Sequence, residues 1–338
     1  MKRIFFDTMK AEIMRVLLKR GFTEERAGQC AQLFAEASLE GVYSHGLNRV
    51  PRFVEYIDKG WVDIHAVPTI VDKMGIIERY DGNLGPGNLN AQFCMDRAIE
   101  LARTGGVGIV TIRNTNHWMR GGSYGWQAAN AGCIGICWTN TESCMPPWGA
   151  KETKIGNNPF ILAVPRKAGS IVLDMAMSQF SYGKLEVTRL KNELLPVDGG
   201  FDTDGNLTRD PAAIEKSMRI LPTGYWKGSG LAILLDIIAA LLSGGLSTRG
   251  MDEAKPAPGV SGYRGSQVFI ALDPAVISGE GFAENLVNEA VEYLHQAEPS
   301  EENGKVTFPG ERTVETRNQN LERGIPVDET IWQKVIAL

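Results

Sequence analysis

The chain has 338 residues with 43% hydrophobic and 22% charged side chains, the balance of a folded protein and not of a disordered or collagen-like one. Lys and Arg total 35 against 40 Asp and Glu, and a net charge of -5 offers no basic field, so neither nucleic acid nor membrane is an expected partner. Lys2-Arg3 is followed only by Ile4-Phe5-Phe6 before Asp7, too little for a secretory leader, which makes a cytoplasmic protein the expectation.

Residues 1–40 read as two helices. Met9, Ile13, Leu17 and Leu18 share a face of the first, which stops at Gly21; Thr23 caps the second, whose apolar face carries Ala27, Cys30, Phe34 and Ala37. A loop with Ser44-His45-Gly46 leads to a third helix over Val50, Phe53, Val54 and Ile57, with Pro51 near its start. These make an N-terminal helical element, residues 1–70, expected to pack with the C-terminal helices. From about residue 75 short β-branched runs alternate with helices: GIIERY, a helix over 88–103, GVGIVTIR, a helix near 122–131, CIGICWTN, FILAVP and SIVLDMAM. Helices around 181–192 and 226–243, the strand SQVFIALDP, and helices at 282–296 and 328–337 complete the chain, while 192–222 and 248–265 read as irregular loops. Leu231–Leu242 is apolar for 12 residues apart from Asp236, short of the roughly 20 that span a membrane, so a buried helix is expected there. The alternation predicts an α/β fold over 71–338, a layered sheet with helices on both faces.

The five cysteines, Cys30, Cys94, Cys133, Cys137 and Cys144, form an odd set without disulfide spacing. Cys133 and Cys137 start like an iron–sulfur CxxxCxxC, but the next cysteine is 144, and buried core thiols are the better reading. Gly85-Pro86-Gly87, Gly106-Val107-Gly108 and Gly228-Ser229-Gly230 each begin GxGxxG, yet Asn90, Thr111 and Ile233 stand where the third glycine belongs. GxxxxGK[ST], HExxH, GxSxG and an EF-hand loop are also missing.

Four histidines remain: His45, His65, His117 and His295. His65 and His295 read as structural. His45 sits at a helix entrance among small residues with Arg49 four positions on, a spacing that can aim an acid and a carboxylate anchor into one cleft. His117 follows the strand GVGIVTIR, and the C-terminal end of a parallel strand is where open α/β sheets place ligands. A metal-dependent hydrolase built on these histidines would lack the paired local ligands such sites use, and no metal is expected. A sugar-acid binding protein without a poised acid is the other alternative.

Several motifs in order carry a resemblance: ASLEGVYSHGLNR from Ala37, NTNHWMRGGSYGWQAA from Asn114, MPPWGAKETKIGNNPFILAVP from Met145, VLDMAMS from Val172, GYWKGSGLAILLDIIAALLSGG from Gly224, GSQVFIALDP from Gly265 and PGE from Pro309. Together they resemble the type 2 malate/L-lactate dehydrogenase family, also called sulfolactate dehydrogenase-like. The chain departs from the common pattern at two places. Ser38-Leu39-Glu40-Gly41 stands for Asp-x-Arg-Gly, and His117-Trp118-Met119 for His-Phe-Gly. In these departures the chain resembles a subgroup of the family, which implies action on a 2-keto sugar acid, with a malate/lactate-type 2-hydroxy acid dehydrogenase as the alternative.

The resemblance implies an NAD-dependent oxidoreductase with NADH preferred over NADPH, a homodimer, and a nucleotide-binding fold unrelated to Rossmann. Carried over by position, it implies His45 as proton donor. The cofactor contacts fall on Ser170, Ile171, Val172, Leu173, Asp174, Met175 and Ala176, on Trp226 and Lys227, and on Gly310, Glu311 and Arg312. For the substrate, Arg49 is the candidate for the carboxylate, because its planar fork matches it. Ser44, Asn116 and Arg120 are the candidates for the hydroxyls, and His117 for the carbonyl, a hydroxyl or the nicotinamide amide. Trp118, Trp126, Trp138, Trp148 and Trp226 lie in glycine-rich segments, either as interface residues or as core aromatics.

Overall fold

Side-chain alternation along the central strands decides the architecture. In Gly265–Leu272, Phe269 and Ala271 enter one apolar layer while Val268 and Ile270 enter the opposite one. Ile134–Thr139 repeats this, with Cys137 on the first side and Ile136 and Trp138 on the second. A sheet apolar on both faces must be covered on both. In the computed structural model, which describes residues 2–255, 264–279, 281–302 and 304–338, helices cover each face as expected. Gly87–Gly105 and Gly122–Asn130 pack on the first face through Ala91, Cys94, Met95, Ala98, Tyr124 and Trp126. Tyr182–Leu190, Pro211–Ser217 and Trp226–Ser243 cover the second through Leu185, Ile214, Ala232, Leu235 and Ala239.

The seven-stranded sheet runs in the order Thr69–Met74, Ile77–Asp81, Val107–Thr115, Gly265–Leu272, Ile134–Thr139, Phe160–Val164, Ile171–Met175. Only Ile77–Asp81 and Val107–Thr115 pair in parallel; Gly265–Leu272 inserts antiparallel to both its neighbours, so the sheet is mixed. A third apolar cluster joins helices Phe6–Leu18, Glu24–Leu39 and Val50–Asp58 to the chain end, through Ile325, Val327, Trp332 and Val335. There Lys2–Ile4 pairs antiparallel with Ile325–Val327.

The helix Trp226–Ser243 corrects the expectation of a buried element. Gly228, Ser229, Ala232, Leu235, Ala239 and Ser243 are buried against the sheet, while Leu234 is 54% and Leu241 72% exposed. Among the described residues it alone has the length and apolar composition to cross a membrane. It is laid on the sheet instead, its Asp236 accepting from Asn140 Nδ2 and from the Thr248 amide, both at 2.8 Å. The loop expected at 192–222 contains the hairpin Gly200–Phe201 with Leu207–Thr208 and the helix Pro211–Ser217. That expected at 248–265 begins with the helix Thr248–Glu253, and its residues 256–263 lie outside those described. All five cysteines are free thiols.

Candidate active site

Ser38 closes the helix Glu24–Leu39 by accepting the Leu47 amide on its Oγ at 2.8 Å. Gly46 passes so close to it that a Cβ would lie 2.1 Å from Ser38 Oγ and 2.7 Å from Ser38 N, so only glycine lets the chain turn here. The turn throws Tyr43–His45 and Leu47–Arg49 into two successive 3-10 turns, with His45 and Arg49 on the same loop. Ser44 Oγ lies 2.9 Å from His45 Nδ1, leaving Nε2 as the ring atom that can reach a substrate. Arg49 Nε donates to Ser44 O at 3.3 Å.

His117 arrives from the end of Val107–Thr115 and its ring stacks on that of His45, centroids 5.9 Å apart and planes 22° from parallel. Its Nδ1 accepts the Met119 amide at 3.0 Å, which places the neutral ring's proton on Nε2. The Asn116 side-chain amide donates to Leu84 O at 2.7 Å and to Trp61 O and Gly85 O at 3.2 Å, so this residue clamps the loop and forms wall. A cleft opens between these pieces, lined by Arg49, Arg52, Phe53, Tyr56, Val62, Asn116, His117, Met119 and Glu142. Arg52, Tyr56 and Glu142 were not foreseen. Residues 49, 52, 53 and 56 follow helical spacing, which could have revealed the first two.

Charge around the histidines is one-sided. Burial, then Arg49 and Arg120, pull the His45 imidazole down to about 4. His117 is held well below the usual imidazole range by burial first, then by Arg49, His45 and Arg52. Both rings are therefore neutral at pH 7 in the free protein.

The cofactor candidates meet along the outer strand Ile171–Met175. Val172 N–H donates to Pro309 O at 2.9 Å, and Gly310 lies on the strand so closely that a Cβ would stand 3.0 Å from Val172 N. Gln179 and Thr223 amides bond Leu221 O at 2.8 Å and Met177 O at 2.9 Å, which carries the chain to Trp226 and Lys227, both exposed. Glu311 is engaged with His295, Lys305 and the Phe308 amide, while Arg312 faces outward. Asp174 Oδ2 accepts the Gly122 amide at 2.9 Å and lies 3.8 Å from Arg120 Nε. Burial raises its carboxyl pKa, against the pull of Arg120 and the Gly122 amide. The helix Tyr182–Leu190 reaches the His45 turn at Gly183, whose Cβ would lie 3.2 Å from Ser44 Cβ.

Arg120 is behind His45 and off the cavity wall. Its side chain is 5% exposed and is ion-paired with Glu40, which also pairs with Arg317. A buried carboxylate costs several kcal/mol to desolvate, and two guanidinium partners offset that. Of the tryptophans, Trp118, Trp126 and Trp138 are core residues, and Trp148 and Trp226 are exposed. His65 is exposed, and His295 lies 3.2 Å from Glu311, away from the cavity.

The family model for malate/L-lactate dehydrogenase matches residues 4–336. A 2,3-diketo-L-gulonate reductase of Haemophilus influenzae is 50% identical over 337 residues, covering 99% of this chain and 100% of the relative. Among solved structures, malate dehydrogenase from Entamoeba histolytica superposes with a TM-score of 0.93 at 26% identity, covering 99% of this chain and 96% of that one. Sulfolactate dehydrogenase from Methanocaldococcus jannaschii does so with a TM-score of 0.89 at 30% identity, covering 99% and 95%. The chain belongs to the malate/L-lactate dehydrogenase family and is an oxidoreductase.

Proposed function

We propose that this protein is an NADH-dependent reductase of 2-keto sugar acids, acting on 2,3-diketo-L-gulonate to give 3-keto-L-gulonate. The observation that carries this reading is that His45 and Arg49 share one turn, that the His45 ring stacks on His117, and that Arg49 and His117 line a cleft that also presents Arg52, Tyr56 and Glu142. An acid, a carboxylate fork and several hydrogen-bonding groups for hydroxyls are what a keto sugar acid requires. The residues also fit a dinucleotide. Gly310 packs directly on the outer strand, with Val172 N 3.0 Å from where its Cβ would stand, which sets residues 310–312 beside 170–176, and Arg120 Nε is buried with no hydrogen-bond partner among the described residues. Ser170 to Ala176, Trp226, Lys227 and Gly310 to Arg312 would hold it. When bound, the dihydronicotinamide supplies the hydride. His45 Nε2 delivers the proton to the ketone oxygen, Arg49 holds the carboxylate, and His117 Nε2 donates a hydrogen bond to the carbonyl or a neighbouring hydroxyl, with Ser44 steadying the His45 ring. We read residues 71–338 as the NAD-binding and catalytic domain, residues 1–70 as an element that packs with the C-terminal helices, and the whole as a cytoplasmic protein.

The neutral state of His45 in the free protein gives a pH signature. An anionic keto acid paired with Arg49 offsets the positive potential and raises the proton affinity of the imidazole, so substrate binding takes up a proton. Reduction needs that proton. kcat/KM for reduction therefore falls as pH rises above the His45 pKa, and oxidation of the product hydroxy acid follows the opposite trend. NADH absorbance followed with 2,3-diketo-L-gulonate, pyruvate and oxaloacetate in turn tests the substrate. The expected result is the highest kcat/KM on the keto sugar acid; higher values on oxaloacetate or pyruvate would replace this reading with the malate/lactate type.

A homodimer belongs to the same proposal. The apolar outer face of Trp226–Ser243, with Leu234, Ile237 and Leu241 exposed, begins at the candidate cofactor residues Trp226 and Lys227, so a second copy seated on it would border the cofactor. A cofactor bound only by the dimer stabilises it through linkage. A dimer at micromolar concentration is expected, with dissociation on dilution suppressed by NADH and activity per subunit falling as dimer is lost. Sedimentation and activity on one dilution series check this, and a fully active monomer would refute it.

A further inference from the structure

Glu40 terminates the helix that leads into the His45 turn, and its side chain is 2% exposed. One carboxylate oxygen accepts from Arg120 and the other pairs with Arg317. The two arginines come from different elements. Arg120 leads into the helix Gly122–Asn130, and its Nε is 3.8 Å from Asp174 on the outer strand. Arg317 lies on the helix Glu311–Arg323, which starts at Gly310-Glu311-Arg312, and Asn320 of that helix donates to Leu39 O at 2.8 Å. The Arg317 guanidinium covers the Trp126 ring at 5.5 Å, and Trp126 in turn packs under Gly310. The His45 turn is stitched to the Glu40 end of its helix by Ser38 Oγ and by the close passage of Gly46.

We propose that Glu40 is a positioning residue whose carboxylate locks Arg120 and Arg317, holding the His45 turn in register with the two segments that take the cofactor and balancing the charge that Arg120 presents to the His45 imidazole. This rests on His45 being the proton donor. His45 is faced by Arg49 from the following turn and by His117 and Arg120 from the loop after Val107–Thr115; the helix Tyr182–Leu190 meets the same turn through Gly183 against Ser44.

Charge and register make opposite predictions for the two partners. Glu40→Gln leaves Arg120 less compensated, which disfavours the imidazolium and moves the descending limb of the pH profile for reduction to lower pH. Arg120→Gln removes the positive charge and moves the limb up, each by about one unit. Arg120→Lys keeps the charge and returns the limb to the wild-type position. A mislaid register lowers kcat in Glu40→Gln by about ten- to a hundredfold, with little change in KM for the keto acid. Arg317→Gln, which leaves Glu40 on Arg120, weakens NADH binding without moving the limb.

The experiment measures kcat, KM, NADH fluorescence titration, melting temperature and pH profile for wild type and these four variants, together with an NMR titration of the His45 ring in the NADH complex. The NMR titration reads the charge on His45 without turnover. Opposite displacements of the His45 titration in Glu40→Gln and Arg120→Gln are the expected result. Displacements that are absent or of the same sign, beside lowered melting temperatures, would reduce the array to a fold-holding ion pair. A wild type that turns over no keto acid overturns the proposed reaction instead, and the NMR arm still decides the charge on His45.

Discussion

Replacing His45 by asparagine lowers keto-acid turnover by about a hundred to ten thousandfold, the usual worth of a positioned general acid, while NADH binding is largely kept. Asparagine fills similar space and can still hydrogen-bond Ser44, so the loss reports the missing proton and not a collapsed turn. The neighbouring ring cannot substitute. His117 already accepts the Met119 amide on Nδ1, so taking up the second proton that a general acid must carry would cost it that hydrogen bond. Single-turnover absorbance at 340 nm with NADH bound separates the chemical step from release. Retention of most of kcat at neutral pH would take His45 out of the mechanism.

Arg49→Lys keeps the charge and is expected to cut kcat/KM for keto acids by about a hundredfold. Loss of a charge-assisted fork misplaces the ketone against His45, and a displacement near 1 Å is worth about that much. An ammonium also cannot both bond Ser44 O and grip a carboxylate from one fixed plane, as a guanidinium can. Steady-state kinetics on 2,3-diketo-L-gulonate and pyruvate check it together, because both carry the 2-keto carboxylate while only one carries hydroxyls. Near-normal KM and kcat on both would assign the carboxylate to Arg52, the other guanidinium on the cavity wall.

Legibility in the sequence followed the strength of local periodicity. The strands around Cys137 and Phe269 alternate strongly, and the helix Trp226–Ser243 ends where its composition ends, so these elements were readable with near-correct bounds. Its burial was not. The outer face is as apolar as the inner one, which erases the period that would have told the two apart. Glu311–Arg323, reading ERTVETRNQNLER, has almost no apolar stripe and was missed, as was the exposed edge strand Thr69–Met74, which does not alternate. The candidate site divides in the same way. His45, Arg49 and His117 stood out as polar residues in glycine-rich turns, whereas the pairing of Glu40 with Arg120 and Arg317 joins positions far apart in the chain, and only the fold reveals it.

The free thiols distribute themselves over the three apolar clusters: Cys30 in the N-terminal one, Cys94, Cys133 and Cys137 under one face of the sheet, and Cys144 against the other. Burial pushes Cys30 up to about 12 and Cys144 to about 11; at neutral pH the buried Cys30, Cys94, Cys133 and Cys137 react with an alkylating reagent only when their surroundings open, whereas the half-buried Cys144 is slowed by its raised pKa alone. The native protein thus carries its own set of clocks. Mass-resolved labelling rates at Cys30 and at the Cys94 group would time the opening of those two layers separately, with the half-buried Cys144 as the ungated reference, and a substrate or cofactor that clamps one layer would slow its clock alone.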